Sequence, residues 1–107
     1  SSEEARNYNL IPLRSIKIQL THINEWWALK NILGNIIPFM PFGFLLPMVY
    51  NKINSFFKFF VSSILFILFV EIFQLFTKIG SFDVDDIILN FIGSMCGYLV
   101  FLLAKSL

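Results

Sequence analysis

The sequence predicts an all-α protein, a small helical membrane bundle with three transmembrane spans and a short N-terminal interfacial helix. Three observations carry that prediction. The 107-residue chain is 57% hydrophobic and only 14% charged, with a mean hydropathy of +0.75, whereas soluble domains carry about 25% charged residues. It contains three apolar runs close to the ~20 residues needed to cross a bilayer core. The connections between the runs are short and polar, which makes consecutive spans antiparallel neighbours. A chain of this length holds one domain. A net charge of +1 gives no footing for nucleic acid or for a polybasic membrane patch. The single cysteine, Cys96, has no intramolecular disulfide partner.

Residues 1–30 read as a polar to interfacial leader, and residues 31–107 as the transmembrane domain. The opening SSEEARNYNLIPLRSIK has no apolar stretch of the signal-peptide kind, so insertion rests on the internal spans or on an earlier helix. Asn9-Leu10-Ile11-Pro12 is expected to be extended, because the residue before proline avoids the helical region. A short surface helix is expected around Ser15–Trp27. Trp26 and Trp27 suit the headgroup level, or burial against a neighbouring span. His22 lies outside the spans without ligand spacing and reads as solvated or interfacial.

The first span runs from about Asn31 to Tyr50. Pro38, Pro41 and Gly43 interrupt it, and a kink or break is expected near Phe39–Gly43 because proline removes an N–H and clashes with the preceding turn. The polar loop Asn51–Ser55 leads to the second span, about Phe56 to Thr77. Lys78–Val84, with Gly80 and Ser81, is read as the next turn. The third span runs from about Asp85 to Ala104 and starts acidic, as a helix N-terminus prefers. Lys30, Lys52, Lys58, Lys78 and Lys105 flank spans and are read as snorkelling to headgroups. The fourteen phenylalanines gather in the spans, where lipid-facing surface accepts them.

Glu71 is the most informative residue. It lies inside FFVSSILFILFVEIFQLF, and a charge at the centre of a membrane helix costs roughly 2.5–3.5 kcal/mol on insertion scales. Such groups usually face protein or a water-filled cavity and mark functional sites. Antiparallel spans bring the start of the first, the end of the second and the start of the third to one membrane face. Asn31 and Asn35, Glu71 and Gln74, and Asp86 and Asn90 then converge there, each pair on one helix face. Glu71 should lie roughly 8–10 Å inside its span. The amides of Asn35, Gln74 and Asn90 are candidate donors to it. Read structurally, the cluster is interhelical glue worth about 0.6–2 kcal/mol per bond; read functionally, Asn35, Glu71, Gln74, Asp83, Asp85, Asp86 and Asn90 form a ligand-binding site or polar core.

Asp83, Asp85 and Asp86 place three carboxylates within four positions. Such a group could hold Mg²⁺ or Ca²⁺, or could cap the third span. Capping is favoured, since no glycine-spaced calcium loop and no histidine ligand accompanies the acids. No metal or other cofactor is expected. Gly93-Ser94-Met95-Cys96-Gly97 is a GxxxG spacing that lets another helix approach closely, either within the chain or across a homo-oligomer. Pro38, Pro41, Gly43, Gly93 and Gly97 are thus read as helix-packing residues. No nucleophile elbow, P-loop, HExxH or dinucleotide fingerprint is present.

Four segments in order resemble the VanZ-like membrane proteins: Asn9-Leu10-Ile11-Pro12; Asn35 to Pro47 (N-x-x-x-F-x-P-x-G-F); Glu71-Ile72-Phe73-Gln74 (E-x-x-Q); and Asp83-Val84-Asp85-Asp86 with Asn90 and Gly93 (D-x-D-D-x-x-x-N-x-x-G). The resemblance covers roughly residues 9–103. Two departures stand out. Relatives often carry an arginine just before the aspartates, where this chain has Ser81 after Gly80. They also usually have a transmembrane helix before the Asn-Leu-Ile-Pro segment, and here only eight residues precede that segment. The resemblance implies a multi-pass protein of the bacterial cell membrane, associated with resistance to the glycopeptide teicoplanin. It implies no catalytic residue. Three readings stay open: a non-enzymatic envelope protein binding a lipid-linked cell-wall precursor or glycopeptide, an Mg-dependent membrane enzyme acting on a lipid phosphate, and a proton-coupled carrier in which Glu71 titrates.

Overall fold

The computed structural model describes residues 8–78 and 82–107. In chain order the elements are β1 (Tyr8–Asn9), α1 (Arg14–Thr21), α2 (Trp26–Ile36), α3 (Phe39–Val49), α4 (Phe56–Lys78), β2 (Phe82–Asp83) and α5 (Val84–Lys105). The protein is helical, as expected. The strands are two residues each and form one parallel pair, Tyr8 with Phe82 and Asn9 with Asp83. Gly80 and Ser81, read as the turn before the third span, lie outside the described residues.

Three stretches are long and apolar enough to cross a membrane: Trp26–Val49, Phe56–Thr77 and Val84–Lys105. The second and third match the apolar runs closely. The first begins at Trp26 rather than Asn31, so both tryptophans open the span. Both are also well exposed, which fits the headgroup level and not burial. α1 is shorter than the expected surface helix and ends at Thr21.

The break in the first span falls at Ile37–Pro38, earlier than the expected Phe39–Gly43. The reason lies in which backbone bonds proline removes. Pro38 cannot donate to the carbonyl four residues back, and Pro41 cannot donate to Ile37. Ile37 N–H still reaches Leu33 O at 2.9 Å, and Met40 N–H closes a tighter turn onto Ile37 O at 3.2 Å. Helix α3 restarts with Pro38 as its N-cap and Pro41 in its first turn, where a missing N–H costs nothing. Gly43 does not break the helix; its role is packing.

α5 is the central helix, with α2 and α3 against one side and α4 against another. The α3–α5 contact is the most extensive, and glycine makes it possible. A Cβ added at Gly97 would collide with the backbone of Met40 and Phe44, one at Gly93 with the carbonyl of Ile36, and one at Gly43 with the carbonyl of Ser94. The GxxxG face is therefore filled by this chain's own first span. Against α4 the contact is aromatic: Phe59 stacks on Tyr98 at 4.1 Å and Phe60 meets Phe91 edge-on at 5.3 Å. Phe42 of α3 stacks on Phe66 of α4 at 4.4 Å. Phe57, Phe69, Phe73 and Phe76 point outward, where hydrocarbon is the surrounding solvent.

Gly97→Val puts a branched side chain against backbone that cannot rotate away, and overpacking of this kind costs about 1–3 kcal/mol. Denaturation by SDS in mixed micelles, followed by circular dichroism, should show the variant losing helix at a lower SDS fraction. Ile92→Val, on the exposed surface of the same helix, should behave as wild type. Equal midpoints for Gly97→Val and wild type would refute the close α3–α5 approach.

Candidate functional site

The three aspartates divide between two surroundings, Asp83 and Asp85 toward the leader and Asp86 in a pocket. Successive helical residues are turned by about 100°, so adjacent acids at a helix start cannot share one face. Asp83 is the N-cap of α5. One carboxylate oxygen accepts from Asp85 N–H at 2.8 Å and the other from Ser15 Oγ at 2.6 Å. Asp85, almost wholly buried, accepts from Leu13 N–H at 2.6 Å and Ile16 N–H at 2.9 Å. It thereby caps α1 from a distance of about seventy residues in sequence and supplies acceptors for backbone donors that a helix start leaves unpaired. Leu13 has φ 71°, a left-handed conformation that costs a non-glycine residue about 1–2 kcal/mol. The bond from Asp85 holds it there. Among the described residues no three His, Cys, Asp or Glu side chains are grouped so as to share a cation.

Asp86 faces elsewhere. It lines an open pocket of about 420 Å³ together with Gln74 of α4 and Trp27, Lys30, Asn31, Gly34 and Asn35 of α2. Three helices thus contribute polar groups at the end of the bundle where the first span begins, the second ends and the third begins. Asn31, Asn35, Gln74 and Asp86 are brought together as the antiparallel argument expects. Trp27, Lys30 and Gly34 are additional walls. Their spacing with Asn31 is i, i+3, i+4, i+7, a single helix stripe, so the signal was present. Trp27 and Lys30 read individually as interface anchors.

Glu71 and Asn90 are buried. The buried residues of α4 include Phe59, Ser63, Ile67 and Glu71, and those of α5 include Asp85, Leu89, Asn90, Gly93, Ser94, Gly97 and Tyr98. The Phe59–Tyr98 stack gives one reference point for the antiparallel register. Equal rise along both helices then brings Ser63 level with Ser94, Ile67 with Asn90 and Glu71 with Asp86. Glu71 is 3% exposed, and it and Asp86 each make an interaction within the protein. Asn35 Nδ2 donates to Asn31 O of its own helix at 2.8 Å. Asn90 sits one turn deeper than Glu71, and its Oδ1 has no hydrogen-bond partner among the described residues. The buried hydroxyls of Ser63 and Ser94 likewise find none. Below the pocket, then, a polar seam runs roughly 12 Å between Asp86 and Ser94, closed by the Phe59–Tyr98 stack. Ser63 and Ser94 were not read as site residues, because serine in a membrane helix ordinarily bonds its own backbone.

His22, outside this site, bonds through Nδ1 with Thr21 Oγ1 at 3.0 Å and Ile18 O at 2.9 Å. It is exposed, as its position in the leader implies.

Asp85→Ala strips the acceptor from two backbone donors, a loss of roughly 2–3 kcal/mol for charge-assisted bonds. The leader should detach while the spans persist. Limited trypsin digestion of detergent-solubilised protein should cut at Arg14 and Lys17 faster than in wild type, with unchanged helicity. Asp83→Ala should have the smaller effect of a lost cap, about 1 kcal/mol. Unaltered cleavage in Asp85→Ala would show that the leader is held by something else.

Comparison with known proteins places this architecture. The VanZ/LLP1 family model matches residues 1–105. Protein VanZ of Enterococcus faecium is 32% identical over 80 residues, covering 75% of this chain and 49% of that protein. The chain thus spans about half the length of this relative. No solved structure matches. With the family model running across nearly the whole sequence, this membrane-spanning chain belongs to the VanZ/LLP1 family.

Proposed function

We propose that this protein is a non-enzymatic component of the bacterial cell envelope that binds an envelope ligand in the pocket walled by α2, α4 and α5. The observation that carries the reading is the convergence of Asn31, Asn35, Gln74 and Asp86 from three helices on one open cavity. Polar groups are costly in a bundle of this kind, and packing alone does not need so many at one level. A ligand at a membrane face would gain from amides that both donate and accept. It would also gain from low-dielectric walls that strengthen each bond. Glu71, buried on α4, adds a further polar group at the level of Asp86. A lipid-linked cell-wall precursor or a glycopeptide meets such a site from the membrane surface. Through that site the protein contributes to teicoplanin resistance, the role associated with VanZ-like proteins.

The enzyme reading needs the aspartates as a set. Asp83 and Asp85 are hydrogen-bonded to the leader and to the start of α5, which leaves Asp86 as the acid of that motif in the pocket.

A deletion strain complemented with wild type, Asp86→Asn or Glu71→Gln tests the proposal. Wild type should restore the teicoplanin inhibitory concentration. Both variants should fall to the level of the deletion while accumulating normally in the membrane fraction. Full complementation by both would refute a role for the pocket.

A further inference from the structure

We infer that the pocket takes a neutral pyranose, a sugar ring with free hydroxyls, which rests on the pocket being a ligand site and adds the chemistry of what enters it. One stripe of α2 supplies Trp27, Asn31, Gly34 and Asn35 to the wall, and Gln74 comes from α4. The stripe reads ring, amide, bare backbone, amide over roughly 12 Å of helix. Gly34 is the unusual member. Gly43, Gly93 and Gly97 admit the backbone of a neighbouring helix, whereas a Cβ added at Gly34 would meet nothing within 4 Å. Packing does not call for a glycine there. The missing side chain leaves open room beside the two amides.

The amides are available to a ligand. Among the described residues, none bonds to the side-chain amide of Asn31 or Gln74. Asn35 donates one Nδ2 hydrogen to Asn31 O and keeps its second N–H and its Oδ1. Each of the three residues therefore offers both a donor and an acceptor. A sugar hydroxyl donates and accepts at one atom, so it can meet either group of each amide. Trp27 adds the complementary surface. Its side chain is 50% exposed, and His22 lies against it at 5.5 Å and a tilt of 42°. An indole face is negative and attracts the polarised C–H bonds that gather on one face of a pyranose. Ring face against Trp27 and hydroxyl rim against the amides uses both kinds of wall at once.

Neither charge in the lining is needed for this. Asp86 has its own interaction within the protein. Lys30 is exposed, and no arginine stands among the described lining residues to grip a phosphate through two parallel bonds. The volume, about 420 Å³, lies in the range of small-ligand sites, roughly 300–1,000 Å³. The pocket opens at the membrane face, so the sugar can be lipid-borne or free.

The full chain, carrying Trp26→Phe so that Trp27 is the sole indole, is reconstituted in phosphatidylcholine nanodiscs. Trp27 emission is followed in two arms. One adds the soluble methyl glycosides of glucose and N-acetylglucosamine; the other raises the fraction of glucosyl diacylglycerol in the disc. A saturable change in the lipid arm alone assigns a membrane-borne sugar, in the soluble arm alone a free one, and in both the ring itself. In each case Asn31→Ala and Gln74→Met should weaken the apparent affinity about fivefold, the scale of one neutral hydrogen bond. Gly34→Leu should abolish the response by filling the open room. It keeps the comparison valid if an amide variant loses helicity by circular dichroism, because leucine favours helix and no atom stands in its way. No saturable change in either arm overturns the inference, and so does saturation that Gly34→Leu leaves intact. An equal response to sorbitol, which has the hydroxyls without the ring, overturns it as well. A response confined to phosphatidylglycerol removes the sugar and still leaves a ligand pocket. A glycoside response that Gly34→Leu abolishes, with full resistance in Asp86→Asn and Glu71→Gln, upholds the sugar site and sinks only the resistance role.

Discussion

The close passage of α3 across α5 sets the geometry of this protein. Hydrocarbon is as apolar as leucine, so burying apolar surface does not drive membrane helices together; close packing has to do it. Gly43, Gly93 and Gly97 let backbone meet backbone. The consequence reaches beyond packing energy. With the first span drawn tight onto one side of α5, α2 is carried along at the entry end, and Asn31 and Asn35 are brought to the same pocket as Asp86. The break at Ile37–Pro38 separates the two tasks. α3 packs tightly in the interior, while α2 forms a pocket wall.

α5 acts as an organiser because its N-terminus carries two acids that meet the leader and one that lines the pocket. Asp83 ends the preceding segment and starts the helix. Asp85 reaches out to hold the leader. Asp86 is the acid left to the pocket. A D-x-D-D motif can look like a metal site in one dimension; here Asp83 and Asp85 accept from the leader while Asp86 lines the pocket. The same helix carries Asn90 and Ser94 inward, and the buried, unpartnered atoms of Asn90, Ser94 and Ser63 continue the polar character below the pocket. Such groups cost free energy without a partner, so the seam is more than a neutral filler of the interior.

Much of this was legible in the sequence, and the reasons differ by element. The spans were legible because length and apolarity alone define them. The pocket's amides and Asp86 were legible because short loops force antiparallel neighbours, and Asn31–Asn35 and Gln74 could then be levelled by counting turns. The bond from Asn35 to Asn31 O was not legible, because a side-chain amide can bond its own helix four residues back, an option invisible to levelling arguments. The break position was misplaced because two prolines three residues apart both remove bonds, and only the geometry decides which one opens the helix. The leader's docking was not legible at all. Leu13, Ser15 and Ile16 meet Asp83 and Asp85 across some seventy residues, and no periodicity encodes such a pairing. The left-handed Leu13 is a trace of it that appears only in three dimensions.

The account turns on the register of α4 against α5, which sets Glu71 level with Asp86. Paired cysteines at Ser63 and Ser94, in a Cys96→Ala background, test it by oxidative cross-linking in native membranes. The account predicts that this pair bridges more efficiently than Ser63 with Asn90→Cys or Ser63 with Tyr98→Cys, each offset by one turn. Preferential bridging of either offset pair would contradict the register and separate Glu71 from the level of Asp86.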